Sequence, residues 1–291
     1  MGGVVERGGA AVTWRVRVVH TTGYRYAAPV TQSYNEARLT PRSDRRQNLI
    51  VSRLETEPPT RSYRYTDYWG TEVTAFDLHA PHLELKIVSS SVVETGELVS
   101  PVDGAGWADM RTVDVKDRYA EFLEWTGYVP KNRELAAIAR ELRKGRRPSE
   151  AVLAVSEWVH DKLTYQRGTT GVHSSAVDAW HAREGVCQDY AHLTLTLLRS
   201  IGIPARYVSG YLHTKPNAKI GETVGGESHA WIEAWTGGWW GFDPTNDVEI
   251  GPRHIWVAIG RDYADVSPLK GTYSGGSATA IEVTVDVTRL A

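Results

Sequence analysis

Apolar and polar positions alternate from Trp14 to about Val99, and a period of two predicts strands. The stretches WRVRVVHTTGYRY, RSYRYTDYWGTEVTAFDL and LELKIVSSSVVET carry this pattern, with Pro29, Pro41, Pro58 and Pro59 between them. They predict an antiparallel β-sandwich over residues 14–105, closed by the turn-rich SPVDGAGWADM. Beyond it the period changes to 3.6. Helices are expected at 117–126, 132–144 and 149–163, the last with Ser149 as N-cap and Ala151, Val155, Trp158, Val159 and Lys162 along one side. A polar loop and a short helix then lead into GVCQDYAHLTLTLLRSIGIP. Here Cys187, Ala191, Thr194, Leu198 and Ile201 mark one stripe of an amphipathic helix, which Gly202 and Pro204 end. Strands are expected at 205–213, 228–235, 239–244 and 255–259, and the alternating ATAIEVTVDVTRL near the end predicts a strand, 277–291, that returns to the N-terminal sheet. The class is α+β: an N-terminal β-sandwich, then a core at 106–276 in which the cysteine helix packs on an antiparallel sheet.

Composition narrows the function classes. Across 291 residues, 33 Lys plus Arg oppose 35 Asp plus Glu, a formal charge of −2, so no global field favours nucleic acid or an anionic membrane. A single cysteine permits no internal disulfide, and no apolar run reaches the length of a membrane span. The opening MGGVVERGGAAVTW lacks the apolar centre of a signal peptide, so a cytoplasmic setting is expected and residues 1–13 are expected to be disordered. With 11 Trp and 14 Tyr against 3 Phe, the aromatics carry polar tips that suit a half-wet polymer-binding groove, although most read as core. The basic run Arg42, Arg45, Arg46 reads as a solvated turn.

The candidate chemistry starts at Cys187. Gly185 precedes it, so the thiol falls in the first turn of its helix, where unpaired N–H groups and the helix dipole favour an anion such as a thiolate. A base and a group to orient it are available in one hairpin, ESHAWIEAWTGGWWGFDPTND. His229, Trp231, Glu233 and Trp235 share one face of its first strand; Trp239, Gly241 and Asp243 share one face of its second. A three-residue loop, Thr236 to Gly238, pairs Trp235 with Trp239 and makes Asp243 a same-face neighbour of His229, whereas a two-residue loop would put Asp243 on the other face. The three-residue loop is expected. A metal site built from His181, Cys187, Asp189 and His192 is disfavoured, because Cys187 and His192 lie five residues apart on a helix and point apart. Asp189 is read instead as a first-turn carboxylate stabilised by the dipole.

GVCQDYAHL, LLRSIGIPARYVSGYL, SHAWIEAW and WWGFDPTN, in this order, resemble the transglutaminase-like superfamily of cysteine enzymes in its bacterial branch. VRVVHTTGYRYAAPVTQSYNEARLTPR resembles that branch's N-terminal β-domain, and HIWVAIGRDYADVSPLKGTYSG its closing segment. The resemblance implies a papain-like, transglutaminase-like core with Cys187 as nucleophile, His229 as base and Asp243 as orienter. It also implies an aromatic oxyanion donor on the stretch before the cysteine helix, for which Tyr165 is the candidate, beside the Cys187 backbone N–H. The implied reaction is acyl transfer from a peptide or glutamine-type amide through a thioester. Hydrolysis is favoured, with protein-glutamine transamidation and a non-catalytic binding module as alternatives. The expected partner is a protein or peptide substrate, and no metal or cofactor is expected.

Overall fold

The computed structural model describes residues 13–96, 101–168, 171, 173–226 and 228–291, so the start expected to be disordered lies almost wholly outside the described residues. Five strands come first: β1 Trp14–Ala37, β2 Gln47–Glu57, β3 Ser62–Thr66, β4 Glu72–Leu78 and β5 His82–Thr95. The helical stretch contains α1 Val113–Arg118, α2 Arg133–Arg143, α3 Pro148–Lys162, the short strand β6 Thr164–Tyr165, α4 Ala176–Ala182, the short strand β7 Glu184–Gly185 and α5 Cys187–Ser200. Strands β8 Ala205–Leu212, β9 Thr223–Gly226, β10 His229–Trp235, β11 Trp239–Asp243, β12 Val248–Glu249 and β13 His254–Gly260 follow. The chain closes with α6 Tyr263–Val266, β14 Leu269–Gly275 and β15 Ala278–Arg289. Among the described residues no helix is long and apolar enough to cross a membrane.

In β1 the alternation becomes burial: Trp14, Val16, Val18, His20 and Thr22 point inward while Arg15 and Arg17 face solvent. The strand runs through Pro29, which has no N–H to give a ladder, and pairing with β5 breaks between Arg25 and Val30. There β1 changes partners. Its first half lies between β5 and β15, its second between β4 and β14. Glycine is required where β14 turns into β15 around this bend, because a Cβ on Gly276 would stand 2.2 Å from the Ala28 carbonyl oxygen. The two layers of the expected sandwich are therefore one eight-stranded antiparallel sheet, with β2, β5, β1, β15 and β9 in order, β14 and β4 branching from β1, and β3 beyond β4. Its curl encloses a core of Tyr26, Val30, Leu39, Phe76, Leu85 and Ile87.

The second sheet runs β12, β11, β10, β8, β13, all antiparallel, and α5 packs on β10 and β8. Helices α2, α3 and α4 cover the other side of α5. Every residue from Asp189 to Arg199 is consequently buried, so the helix expected to show one apolar stripe is enclosed all round. Its threonines are satisfied by the helix itself: Thr194 donates to the Tyr190 carbonyl at 2.8 Å and Thr196 to that of His192 at 3.0 Å. Arg199 donates to the carbonyls of Ala205 at 2.9 Å and Glu124 at 2.8 Å, pinning the end of α5.

Two local expectations are corrected. The helix expected at 117–126 is α1 followed by a 3-10 turn, Ala120–Leu123. The tighter winding brings residues three apart into line, so that Tyr119 and Phe122 both meet Trp239, with ring centroids 5.5 and 5.3 Å away. Helix α3 is capped by Arg147 with Pro148 in its first turn, and Ser149 donates to Asp103 at 2.9 Å.

Candidate active site

Helix α5 starts at Cys187 itself, so the Cys187 N–H has no partner within the helix. Asp189 folds back to accept from the Val186 N–H at 2.8 Å. The same carboxylate explains Gly185, where a Cβ would stand 2.6 Å from Asp189 Oδ2; the glycine is there for close approach rather than for an unusual backbone angle. Upstream, β6 pairs with β7 in parallel, Tyr165 opposite Gly185, which holds Tyr165 beside the turn that delivers Cys187. Tyr165 is 46% exposed and so is not part of the core.

The hairpin has the three-residue loop: Trp235 pairs with Trp239 and Ile232 with Phe242. His229 and Asp243 accordingly meet, and His229 Nε2 donates to Asp243 Oδ2 at 2.7 Å. The Cys187 side chain lies close enough to raise the His229 pKa, and its Sγ stands 4.0 Å from the Ser228 carbonyl oxygen. Since Nε2 is engaged by the carboxylate, Nδ1 is the ring nitrogen left for the thiol. Asp243 is wholly buried and fully used. Its Oδ1 accepts from the N–H groups of Thr245 at 3.0 Å and Asn246 at 3.3 Å, while Oδ2 also accepts from Asn246 Nδ2 at 2.7 Å and His254 Nε2 at 3.3 Å.

Burial alone would strip His229 of its proton, but the Asp243 charge and hydrogen bond, with the Cys187 side chain, outweigh it and raise its pKa from 6.5 to about 10. Burial likewise opposes the Asp243 charge, and His229 overcomes it, holding the carboxyl well below its usual range. His254 behaves oppositely: burial outweighs Asp243 and lowers its pKa. Its Nδ1 accepts from the Gly251 N–H at 3.3 Å, so the neutral ring keeps its proton on Nε2, aimed at Asp243.

His254 and Asn246 were not anticipated from the sequence. Asn246 stands in the same PTN turn, three residues after Asp243, and that spacing was a usable signal. His254 opens β13, two strands removed from β10 in the sheet, and only the curl returns it to Asp243. His229, Asp243 and His254 are the sole cluster of metal-ligand type among the described residues. Neighbouring ligands of a tetrahedral ion held at about 2.0–2.1 Å stand about 3.3 Å apart; the 2.7 Å between His229 and Asp243 is a hydrogen bond. The other metal candidates do not converge. His181 is exposed, Asp189 caps its helix, and buried His192 accepts from the Tyr263 N–H at 3.2 Å.

Cys187 and His229 open into a cavity of about 340 Å³ whose walls include Tyr165, Arg167, Leu212, Thr214, Gly225 and Gly226. It contains no tryptophan, so the aromatic groove suggested by composition is not at this site; all 11 Trp are buried or half-buried. The basic run is not a solvated turn either. Arg45 is exposed, but Arg46 pairs with the buried Glu233, which Arg206 also holds at 2.7 Å.

The chain matches the transglutaminase-like superfamily over residues 136–244 and the bacterial transglutaminase-like N-terminal region over 16–94. It is 59% identical over 278 residues to the Mycobacterium leprae protein ML0607, covering 96% of this chain and 100% of that one. The chain belongs to the transglutaminase-like superfamily. A second relative, protein-glutamine gamma-glutamyltransferase of Pseudomonas aeruginosa, is 31% identical over 134 residues, 43% of this chain and 20% of that protein. The crystal structure of a candidate cysteine protease from Cytophaga hutchinsonii superposes with a TM-score of 0.76 at 23% identity, over 96% of this chain and 91% of that one, a likeness of fold. The superfamily member described here thus combines a curled β-sheet with a helix-on-sheet core, and Cys187, His229 and Asp243 lie within that core.

Proposed function

We propose that the protein is a cysteine hydrolase acting on a peptide or glutamine-type amide. The observation that carries this reading is the hydrogen bond from His229 to the buried Asp243 carboxylate, with Cys187 and His229 together at the wall of one cavity. A cation beside a thiol favours the thiolate, which is the nucleophile. Cys187 Sγ attacks the carbonyl carbon, and the π pair moves to oxygen, where the Cys187 N–H and the Tyr165 hydroxyl donate. Collapse expels the amine, which takes the proton from His229 Nδ1. Water then adds to the thioester, giving its proton to His229, and the acid leaves as the thiolate re-forms. Asp243 keeps the ring oriented and its charge compensated throughout.

Transamidation differs only in the last nucleophile, an amine in place of water, and the name of the Pseudomonas aeruginosa relative favours it as the second reading. The deciding experiment follows acylation of Cys187 by p-nitrophenyl acetate in the intact protein, then supplies an amine such as dansylcadaverine. Hydrolysis predicts a Cys187 thioester that decays at a rate independent of the amine; transamidation predicts a labelled product. Cys187→Ser should abolish turnover with the fold unchanged by circular dichroism, since oxygen fits the site but lacks thiolate character. Full activity in that variant ends the cysteine mechanism.

A further inference from the structure

Strand β9 is the outermost strand of the curled sheet. It pairs with β15, Gly226 opposite Val285 and Gly225 opposite Asp286, and among the described residues nothing pairs with its other edge. Gly225 and Gly226 also line the cavity that holds Cys187 and His229. The fold itself does not demand either glycine. Neither has a positive φ; a Cβ on Gly226 would meet nothing within 4 Å, and one on Gly225 would meet only Asp286 Oδ1 at 3.9 Å. Gly185 and Gly276, by contrast, are each held by an atom within 2.6 Å of the would-be Cβ. Two glycines inside a strand weaken it by roughly 0.5–1 kcal/mol each relative to alanine, and an unexplained strand glycine marks a place where another backbone comes close.

We propose that an extended polypeptide adds as a further strand to the free edge of β9, its main chain passing Gly225 and Gly226 so that the scissile carbonyl arrives at Cys187. This rests on the hydrolase reading of the site and deepens it, naming unfolded or flexible polypeptide as the substrate class and the edge of the curled sheet as its guide. Alternate residues of an edge strand turn N–H and C=O outward, so one of the two glycines presents both groups to the incoming chain. Without side chains at this point, the added strand can settle at the usual spacing of about 4.8 Å. Recognition through the main chain accepts many sequences but requires an extended one.

The test compares two probes on the whole protein: p-nitrophenyl acetate, which needs only the nucleophile, and reduced, carboxymethylated β-casein, an unfolded chain of many sequences. In Gly226→Val a branched side chain fills the open space, and the ratio of casein to ester turnover should fall at least tenfold with Tm unchanged. Gly225→Ala, a smaller obstruction, should lower the ratio less. In Cys187→Ser, casein should slow amide exchange at residues 223–226. An unchanged ratio in Gly226→Val, absence of exchange protection, or ester turnover with no casein turnover in the wild type would each overturn the strand proposal. Failure of both probes in the wild type instead removes the hydrolase reading, and the inference with it.

Discussion

Replacing Asp243 with asparagine removes one charge and turns one acceptor into a donor. The amide oxygen can still accept from the N–H groups of Thr245 and Asn246, so the turn after β11 persists. The amide nitrogen, however, stands where Oδ2 now accepts from His229 at 2.7 Å, Asn246 at 2.7 Å and His254 at 3.3 Å. His229 can respond by moving its one proton to Nδ1, which presents the wrong tautomer to the thiol. His254 cannot, because its Nδ1 already accepts from Gly251. One buried donor stays unmatched, at about 1–3 kcal/mol, and with the broken ion pair the total loss is about 3–5 kcal/mol. At about 2–4 °C per kcal/mol for chains of roughly 200 residues, Tm should fall by about 10 °C.

Catalysis should fall much further, by about 10⁴, the scale observed when the carboxylate behind a catalytic histidine becomes an amide. Nitrogen-edited NMR of His229 separates the two effects. In the wild type the ring should stay protonated until about pH 10, and in the variant it should lose its proton far lower. Because folding raises this pKa from 6.5, the stabilisation from His229 is complete below pH 6.5 and is lost as pH rises through about 10. Asp243 has the opposite sign: its contribution is present above the usual carboxylate pKa and is lost as pH falls through its depressed one. Wild-type Tm should therefore hold from above the usual carboxylate range to about pH 6.5 and decline from there to about pH 10, and Asp243→Asn should remove that decline. A variant with wild-type turnover and a His229 that still titrates near pH 10 would refute the reasoning.

Tyr165→Phe should lower turnover of p-nitrophenyl acetate by about 10²–10³ with little change in Tm, as loss of one oxyanion donor does; an unchanged rate would reduce Tyr165 to a wall of the cavity. Glu233→Gln leaves Arg46 and Arg206 facing a neutral partner in a buried site, so it should cost about 3–5 kcal/mol, read as a lower urea midpoint. A midpoint equal to the wild type would show that this ion pair contributes nothing to holding the segment before β2 against the second sheet.

What the sequence disclosed and what it withheld divide along physical lines. Period two in WRVRVVHTT and period 3.6 in the cysteine helix are local signals, and β1 and α5 follow them. The side-chain faces of the hairpin depend only on a two-residue alternation and a loop length, so the approach of Asp243 to His229 could be reasoned from ESHAWIEAWTGGWWGFDPTND alone. His254 depends on the curl of a sheet two strands away, and no spacing encodes that. Arg46 and Glu233 are 187 positions apart, and each looks like an ordinary surface charge until the two parts of the chain pack. The single curled sheet escaped for a related reason: strand patterns report which face is buried but not which strand bends through Pro29 to serve two sets of neighbours.

Asp243 also shows that one carboxylate can build a turn and hold a histidine ring at the same time. A carboxylate has two oxygens and about four lone-pair directions. Oδ1 spends its capacity on the backbone of Thr245 and Asn246, which is what an aspartate before a proline does in a turn. Oδ2, held rigid by that turn, is the atom that His229, His254 and Asn246 converge upon. The turn supplies the precision that the site requires, because an oxygen fixed by two backbone donors cannot swing away when His229 gains or loses its proton. It follows that Thr245→Pro, which deletes one of those donors without touching Oδ2, should disturb the proposed site as well as the turn: loosened on its Oδ1 side, the carboxylate would orient the His229 ring less tightly although Cys187, His229 and Asp243 are all still present.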